Sequence, residues 1–78
     1  MDTVEERCRN VMAKVMNVDA ATLGNDASPL TLDKWDSLAH VQLVLALEDE
    51  FSLQIPPEDG IEHMASLGKI IAYMRNRT

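Results

Sequence analysis

Apolar residues recur at steps of three and four from the start of the chain: Val4, Cys8, Val11, Met12, Val15 and Met16 fall on one helix face. Thr3 and Glu6 stand just ahead of them at the Thr-x-x-Glu spacing of a capping box, in which each side chain satisfies an amide that the first helical turn leaves without a partner. A first helix is predicted over "TVEERCRNVMAKVMNV". The next stretch, Asp19 to Lys34, "DAATLGNDASPLTLDK", is rich in Asp, Asn, Ser, Thr, Gly and Pro and predicts a long loop. Leu23, Leu30 and Leu32 are expected to pin that loop to the core, with a short turn after Ser28-Pro29. A loop of this length in a small domain is functional or carries some structure of its own.

Ser37 to Phe51 contains no Gly or Pro and predicts a second helix. On a helical wheel Leu43, Leu47 and Phe51 lie four apart with Val44 beside them, which makes the core stripe. Leu38, Val41 and Leu45 fall on roughly the opposite side, among Gln42, Glu48 and Asp49. An outward apolar face rimmed by acids is an interface or a groove. Equally, a short third element carrying Ile55, Ile61 and Met64 can cover it, and the two readings are compatible. Pro56 and Pro57 end the second helix, and Pro57 can open a short third one with Glu58 and Asp59 in its favourable first turn. Ser66 is placed to cap a fourth helix through about Arg75, with Leu67, Ile70, Ile71 and Met74 on one face and Arg75 and Arg77 near its C-terminal end. The predicted fold class is all-α: a four-helix bundle with a short third helix and a long first loop, forming a single domain over 1–78.

Composition narrows the function classes. Seventy-eight residues support one small core. Cys8 is the only cysteine, so neither an intramolecular disulfide nor a Cys-based zinc cluster can form. Its expected role is that of a small buried hydrophobe. A reducing compartment is permitted. Seven basic residues against 13 acidic ones leave a net charge of −6, which argues against nucleic acid and anionic membrane as ligands and suits partners with basic patches. From Trp35 to Gly68 there is no Lys or Arg, while Asp36, Glu48, Asp49, Glu50, Glu58, Asp59 and Glu62 all lie there. The opening "MDTVEER" is acidic and polar, unlike a secretory signal, and no apolar run approaches the roughly 20 residues of a membrane helix. A cytoplasmic monomer without a membrane span or resident metal is expected.

Ser37 admits three readings. As a residue at a helix start, Ser or Asp commonly caps the first turn. As a nucleophile it needs a base and a group to orient that base. Only His40 and His63 are available: His40 falls on the core side of the wheel, His63 has no evident acid to orient it, and a Gly-x-Ser-x-Gly elbow is absent. As an attachment site for a phosphoester, it would benefit from the positive end of the helix, though spacing alone does not establish that role.

"WDSLAHVQLVLALEDEF", followed by "LQIPPED", resembles the acyl carrier protein family, in which Asp-Ser-Leu begins a second helix that ends Glu-x-Glu-Phe ahead of an Ile-Pro. "TVEERCRNVMAKVMNVDAATL" and "SLGKIIAYM" are similar to the family's opening and closing segments, so the likeness covers nearly the whole chain. It implies a carrier that is not itself an enzyme. Ser37 would accept 4′-phosphopantetheine from coenzyme A through a Mg²⁺-dependent phosphopantetheinyl transferase, with Asp36 helping to hold the metal during transfer. The arm would carry acyl groups as thioesters for fatty-acid or polyketide-type biosynthesis. Partners would be that transferase and acyl-activating ligases or synthases with basic docking surfaces, met by Leu38, Val41 and Leu45 and by Glu48, Asp49, Glu58 and Asp59. Space near Leu45, Ile55, Ile61 and Met64 would shelter part of an acyl chain. Lys34-Trp35 stands where carriers of bulk fatty-acid synthesis typically show Gly-Ala, and Ala39 and Gln42 stand where acids are common. The Trp-Asp-Ser-Leu run looks more like carriers of specialised pathways. An amino-acyl or peptidyl carrier, or an unmodified helical interaction module, are the alternatives. Trp35 itself is expected to pack at the start of the second helix, since aromatic area is mostly used for burial.

Overall fold

The structure, a computed structural model, describes residues 3–78, so Met1 and Asp2 of the acidic opening stretch lie outside it. Its elements are α1 Val4–Met16, α2 Ser37–Phe51, α3 Pro57–Glu62 and α4 Leu67–Arg77, with a 3-10 turn at Ala20–Thr22 between the first two. Among the described residues there is no strand. This is the expected all-α arrangement with a short third helix and a long first loop, and α1 packs against both α2 and α4.

The helix ends follow from capping chemistry. Thr3 Oγ1 accepts from the Glu6 N–H at 3.1 Å, and Ser66 Oγ accepts from the Lys69 N–H at 3.2 Å. α1 stops at Met16, two residues before the predicted end, because Asn17 turns left-handed (φ 56°) and its N–H closes back on the Ala13 carbonyl. Ser52 ends α2 in the same way (φ 53°), closing on Glu48 O. α4 runs on to Arg77, two residues past the prediction.

Cys8, Met12 and Met16 from α1 meet Ala39, Leu43 and Leu47 from α2 and Ile70, Ile71 and Met74 from α4 in one core. The buried stripe of α2 is therefore set one turn earlier than the predicted Leu43–Leu47–Phe51. Phe51 is only half-buried: it sits at the open end of α2, where the Arg7 guanidinium lies 4.3 Å from its ring centroid. Trp35 is 2 % exposed, as expected of a packing residue at the start of α2.

The first loop is held differently from the expectation. Leu23 is buried and Leu32 half-buried, but Leu30 is 95 % exposed and pins nothing. The turn after Ser28-Pro29 explains this: the Ser28 carbonyl accepts from the N–H groups of Thr31 and Leu32, which leaves Leu30 on the outside of the bend. Arg9 holds the loop in its place, donating from Nε to the Leu23 carbonyl at 3.1 Å and from Nη2 to Asn25 Oδ1 at 2.8 Å. The loop in turn serves α4. The Ala27 and Asn25 carbonyls accept from the Leu67 and Gly68 N–H groups at 2.9 and 2.8 Å, satisfying first-turn amides. A Cβ on Gly68 would stand 3.0 Å from the Asn25 oxygen, so glycine permits this close approach.

Candidate functional site

The site is built around the first turn of α2. Asp36 keeps an extended backbone, and its Oδ1 accepts from the Ala39 N–H at 2.8 Å, so the aspartate is the N-cap. Ser37 is then the first helical residue, and it is exposed. The capping work falls to its neighbour, which leaves the Ser37 hydroxyl to other chemistry.

His40 is committed elsewhere. The Trp35 indole Nε1 donates to His40 Nδ1 at 2.9 Å, with the two rings 15° from parallel and their centroids 6.0 Å apart. An indole N–H can only donate, so Nδ1 is the acceptor and the neutral ring carries its proton on Nε2. That Nε2–H donates to the Gly60 carbonyl on α3 at 2.8 Å. His63 is exposed, stacks on Tyr73 with centroids 5.8 Å apart, and approaches only Glu62.

Two concavities flank this bridge. One, about 450 Å³, opens beside Ser37 and is lined by Pro29, Trp35, Asp36, Ile61, Met64 and Ala65 as well as His40 and Gly60. The other, about 370 Å³, lies between α2 and α3 against Val41, Val44, Leu45, Ile55, Pro57 and Ile61, again with His40 and Gly60. The four residues expected to shelter an acyl chain are thus divided. Leu45, Ile55 and Ile61 share the α2–α3 hollow. Met64 is fully buried and lines the chamber beside Ser37, because α3 ends at Glu62 and the chain turns inward before α4. A third hollow, of about 480 Å³, is walled by His63, Lys69, Tyr73 and Arg77 and has no α2 residue in its lining.

The outward face predicted on α2 exists: Leu38, Val41 and Leu45 are exposed, joined by Ile61 on α3. The acids beside it divide by structure. Glu48 is half-buried, and its Oε2 accepts from the Ile55 N–H at 2.7 Å; Asp59 is half-buried and accepts from the Tyr73 hydroxyl at 2.7 Å. Burial first, and that bond second, push the Tyr73 hydroxyl above its ordinary range. Asp49 and Glu58 remain exposed on the rim. Ala39, noted from the sequence only as a position without an acid, is buried in the core.

A family model described as "phosphopantetheine attachment site" matches residues 6–74. The chain belongs to that family. It is a phosphopantetheine-carrier protein of the acyl-carrier-protein kind, with a carrier domain rather than a catalytic one. The group this carrier bears is covalently held 4′-phosphopantetheine, which fits an exposed, uncapped serine hydroxyl at a helix start with a chamber beside it. A carrier of this kind works by meeting enzymes, and none of its described helices is long and apolar enough to cross a membrane.

Reading the sequence missed several polar ties in this carrier, among them Arg9 to the first loop, Glu48 to the Ile55 amide, Asp59 to the Tyr73 hydroxyl and His40 to Gly60. The last left a faint signal, an imidazole in the first turn of a helix and five residues after an indole. All of them link residues 7 to 20 positions apart, and only the folded chain brings them together.

Proposed function

We propose that this carrier is an acyl carrier protein whose arm is esterified to Ser37 Oγ. When bound, the arm supplies a terminal thiol that holds acyl groups as thioesters for fatty-acid or polyketide-type biosynthesis. The observation that carries this reading is the division of labour at the start of α2: Asp36 closes the turn and Ser37 stays exposed. A phosphodiester on that oxygen would sit at the positive end of a 15-residue helix, where the macrodipole favours it. Asp36 places a carboxylate beside the same hydroxyl, suited to steadying the divalent cation of the phosphopantetheinyl transferase.

Leu38, Val41 and Leu45 supply the apolar docking contact, and Asp49 and Glu58 supply the charge that meets basic surfaces of the transferase, ligase or synthase. The hollow against Leu45, Ile55 and Ile61 suits hydrocarbon, which favours an acyl over an amino-acyl cargo. The buried Trp35, standing where Gly-Ala is usual in bulk fatty-acid carriers, supports a specialised pathway. The protein works as a cytoplasmic monomer.

Co-expression with a phosphopantetheinyl transferase tests the attachment. Wild-type protein is expected to gain one phosphopantetheinyl mass, mapped to Ser37, and Ser37→Ala to gain none. No gain in the wild type refutes the reading, and partner binding unchanged in Ser37→Ala would favour an unmodified interaction module instead.

A further inference from the structure

The chamber beside Ser37 and the apolar hollow between α2 and α3 share a wall. His40, Gly60 and Ile61 line both. Across that wall runs the bond from His40 Nε2 to the Gly60 carbonyl, 2.8 Å long, joining α2 to α3. Gly60 lies in the last turn of a six-residue helix, where carbonyls have no later amide within the helix to receive. The imidazole satisfies one of these orphan acceptors. It does not swing freely, because the indole of the buried Trp35 donates to its other nitrogen at 2.9 Å. Each bond of the chain Trp35–His40–Gly60 sets the geometry of the other.

We propose that His40 is the specificity-determining residue for how long an acyl chain the protein shelters. This rests on the reading of Ser37 as the attachment site. With the His40–Gly60 bond closed, an acyl chain on the arm that enters by the Ser37 chamber stops at this wall. To enter the α2–α3 hollow it must part that bond and leave an imidazole N–H and a carbonyl against hydrocarbon, which opposes the gain from burying methylenes. Short chains stay on the Ser37 side, and longer ones pass inward only where their burial outweighs the lost bond. A side chain at position 40 that cannot reach Gly60 makes the two spaces continuous.

The test loads the protein with butyryl and dodecanoyl phosphopantetheine, using acyl-coenzyme A and a transferase, and follows cleavage of each thioester by hydroxylamine. In His40→Ala the dodecanoyl thioester is expected to be cleaved about tenfold more slowly than in wild type, a modest share of what burying several methylenes can contribute. The butyryl rate should stay within about twofold, since so short a chain buries little additional area. His40→Gln, whose amide nitrogen can still reach the Gly60 carbonyl, should follow the wild type. Equal dodecanoyl rates in wild type and His40→Ala overturn the proposal, as does a His40→Gln variant that behaves like His40→Ala. Nitrogen-15 spectra of the unloaded wild-type protein give a check that needs no variant: His40 should carry its proton on Nε2, and the opposite tautomer overturns the proposal. Failure of the wild type to load refutes the attachment at Ser37 and this inference together, whereas normal loading with unchanged cleavage refutes this inference alone.

Discussion

Asp36 caps α2 beside Ser37, and substitutions can separate that capping from the part proposed for its carboxylate in loading. Asp36→Ala removes the cap on Ala39 and is expected to cost about 1 kcal/mol of stability. Asp36→Asn keeps an oxygen for the same amide, so its melting temperature should stay near wild type while phosphopantetheine loading slows for want of the carboxylate. Thermal melts and loading rates on the two variants check this, and an Asn variant that loads normally would reduce Asp36 to a cap. Cys8 offers a second residue-scale test. It is fully buried, and burial pushes its thiol from 9.0 up to about 11, with Arg7, Arg75 and Arg9 pulling back only in part. The folded value exceeds the unfolded one, so the folded state holds the proton more tightly. That contribution to stability is complete below about pH 9 and is lost as pH rises toward 11. Tyr73, shifted in the same direction, adds to the loss. The melting temperature should fall across this window, and fall less in Cys8→Ala.

Both left-handed helix closures fall on residues other than glycine. Asn17 tolerates that conformation, while Ser52, at φ 53°, bears more of its cost. Ser52→Gly is therefore expected to stabilise the protein by about 0.5–1 kcal/mol, measured by urea denaturation. A destabilised variant would mean that the Ser52 side chain does something its exposure does not suggest. α3 illustrates the opposite case, an element that cannot stand by itself. Six residues lie far below the length at which an isolated helix is stable in water. α3 and the chain entering it are held from outside, by His40 on Gly60, Tyr73 on Asp59 and Glu48 on the Ile55 amide. Two acids that pattern alone would assign to partner docking thus help to seat this part of the molecule.

At the scale of the whole molecule, the few cations are mostly turned to internal contacts. Arg7 pairs with Glu50, Arg9 and Arg75 with Glu5, Arg77 reaches the Gln54 carbonyl and Lys34 the Asn17 carbonyl. The α2–α3 face is left acidic, with no Lys or Arg from Trp35 to Gly68. Reversing Asp49 and Glu58 together to Lys is expected to slow association with the transferase about tenfold at low salt, and added salt should weaken wild-type docking. Glu48 is unsuitable for this experiment, since its reversal would also release the Ile55 amide. Docking by the wild type that ignores salt would show that the rim only solubilises.

Local rules were enough to determine much of this protein. Helical spacing, two prolines and the capping residues Thr3 and Ser66 depend on neighbours a few positions away, so the four helices and their buried faces are legible from the chain itself. The resemblance around Asp36-Ser37-Leu38 reaches as far as the proposed attachment site. Tertiary structure alone decided the rest. Leu30 points outward because a turn places it there, and Phe51 is half-covered because α2 ends beside Arg7. Glu48 and Asp59 are half-buried because their carboxylates find partners 7 and 14 residues away. His40 becomes a wall between two hollows only when α3 lies across α2, 20 residues farther along the chain. Hydrogen bonds between residues distant in sequence have no period, so no pattern of apolar and polar positions can announce them.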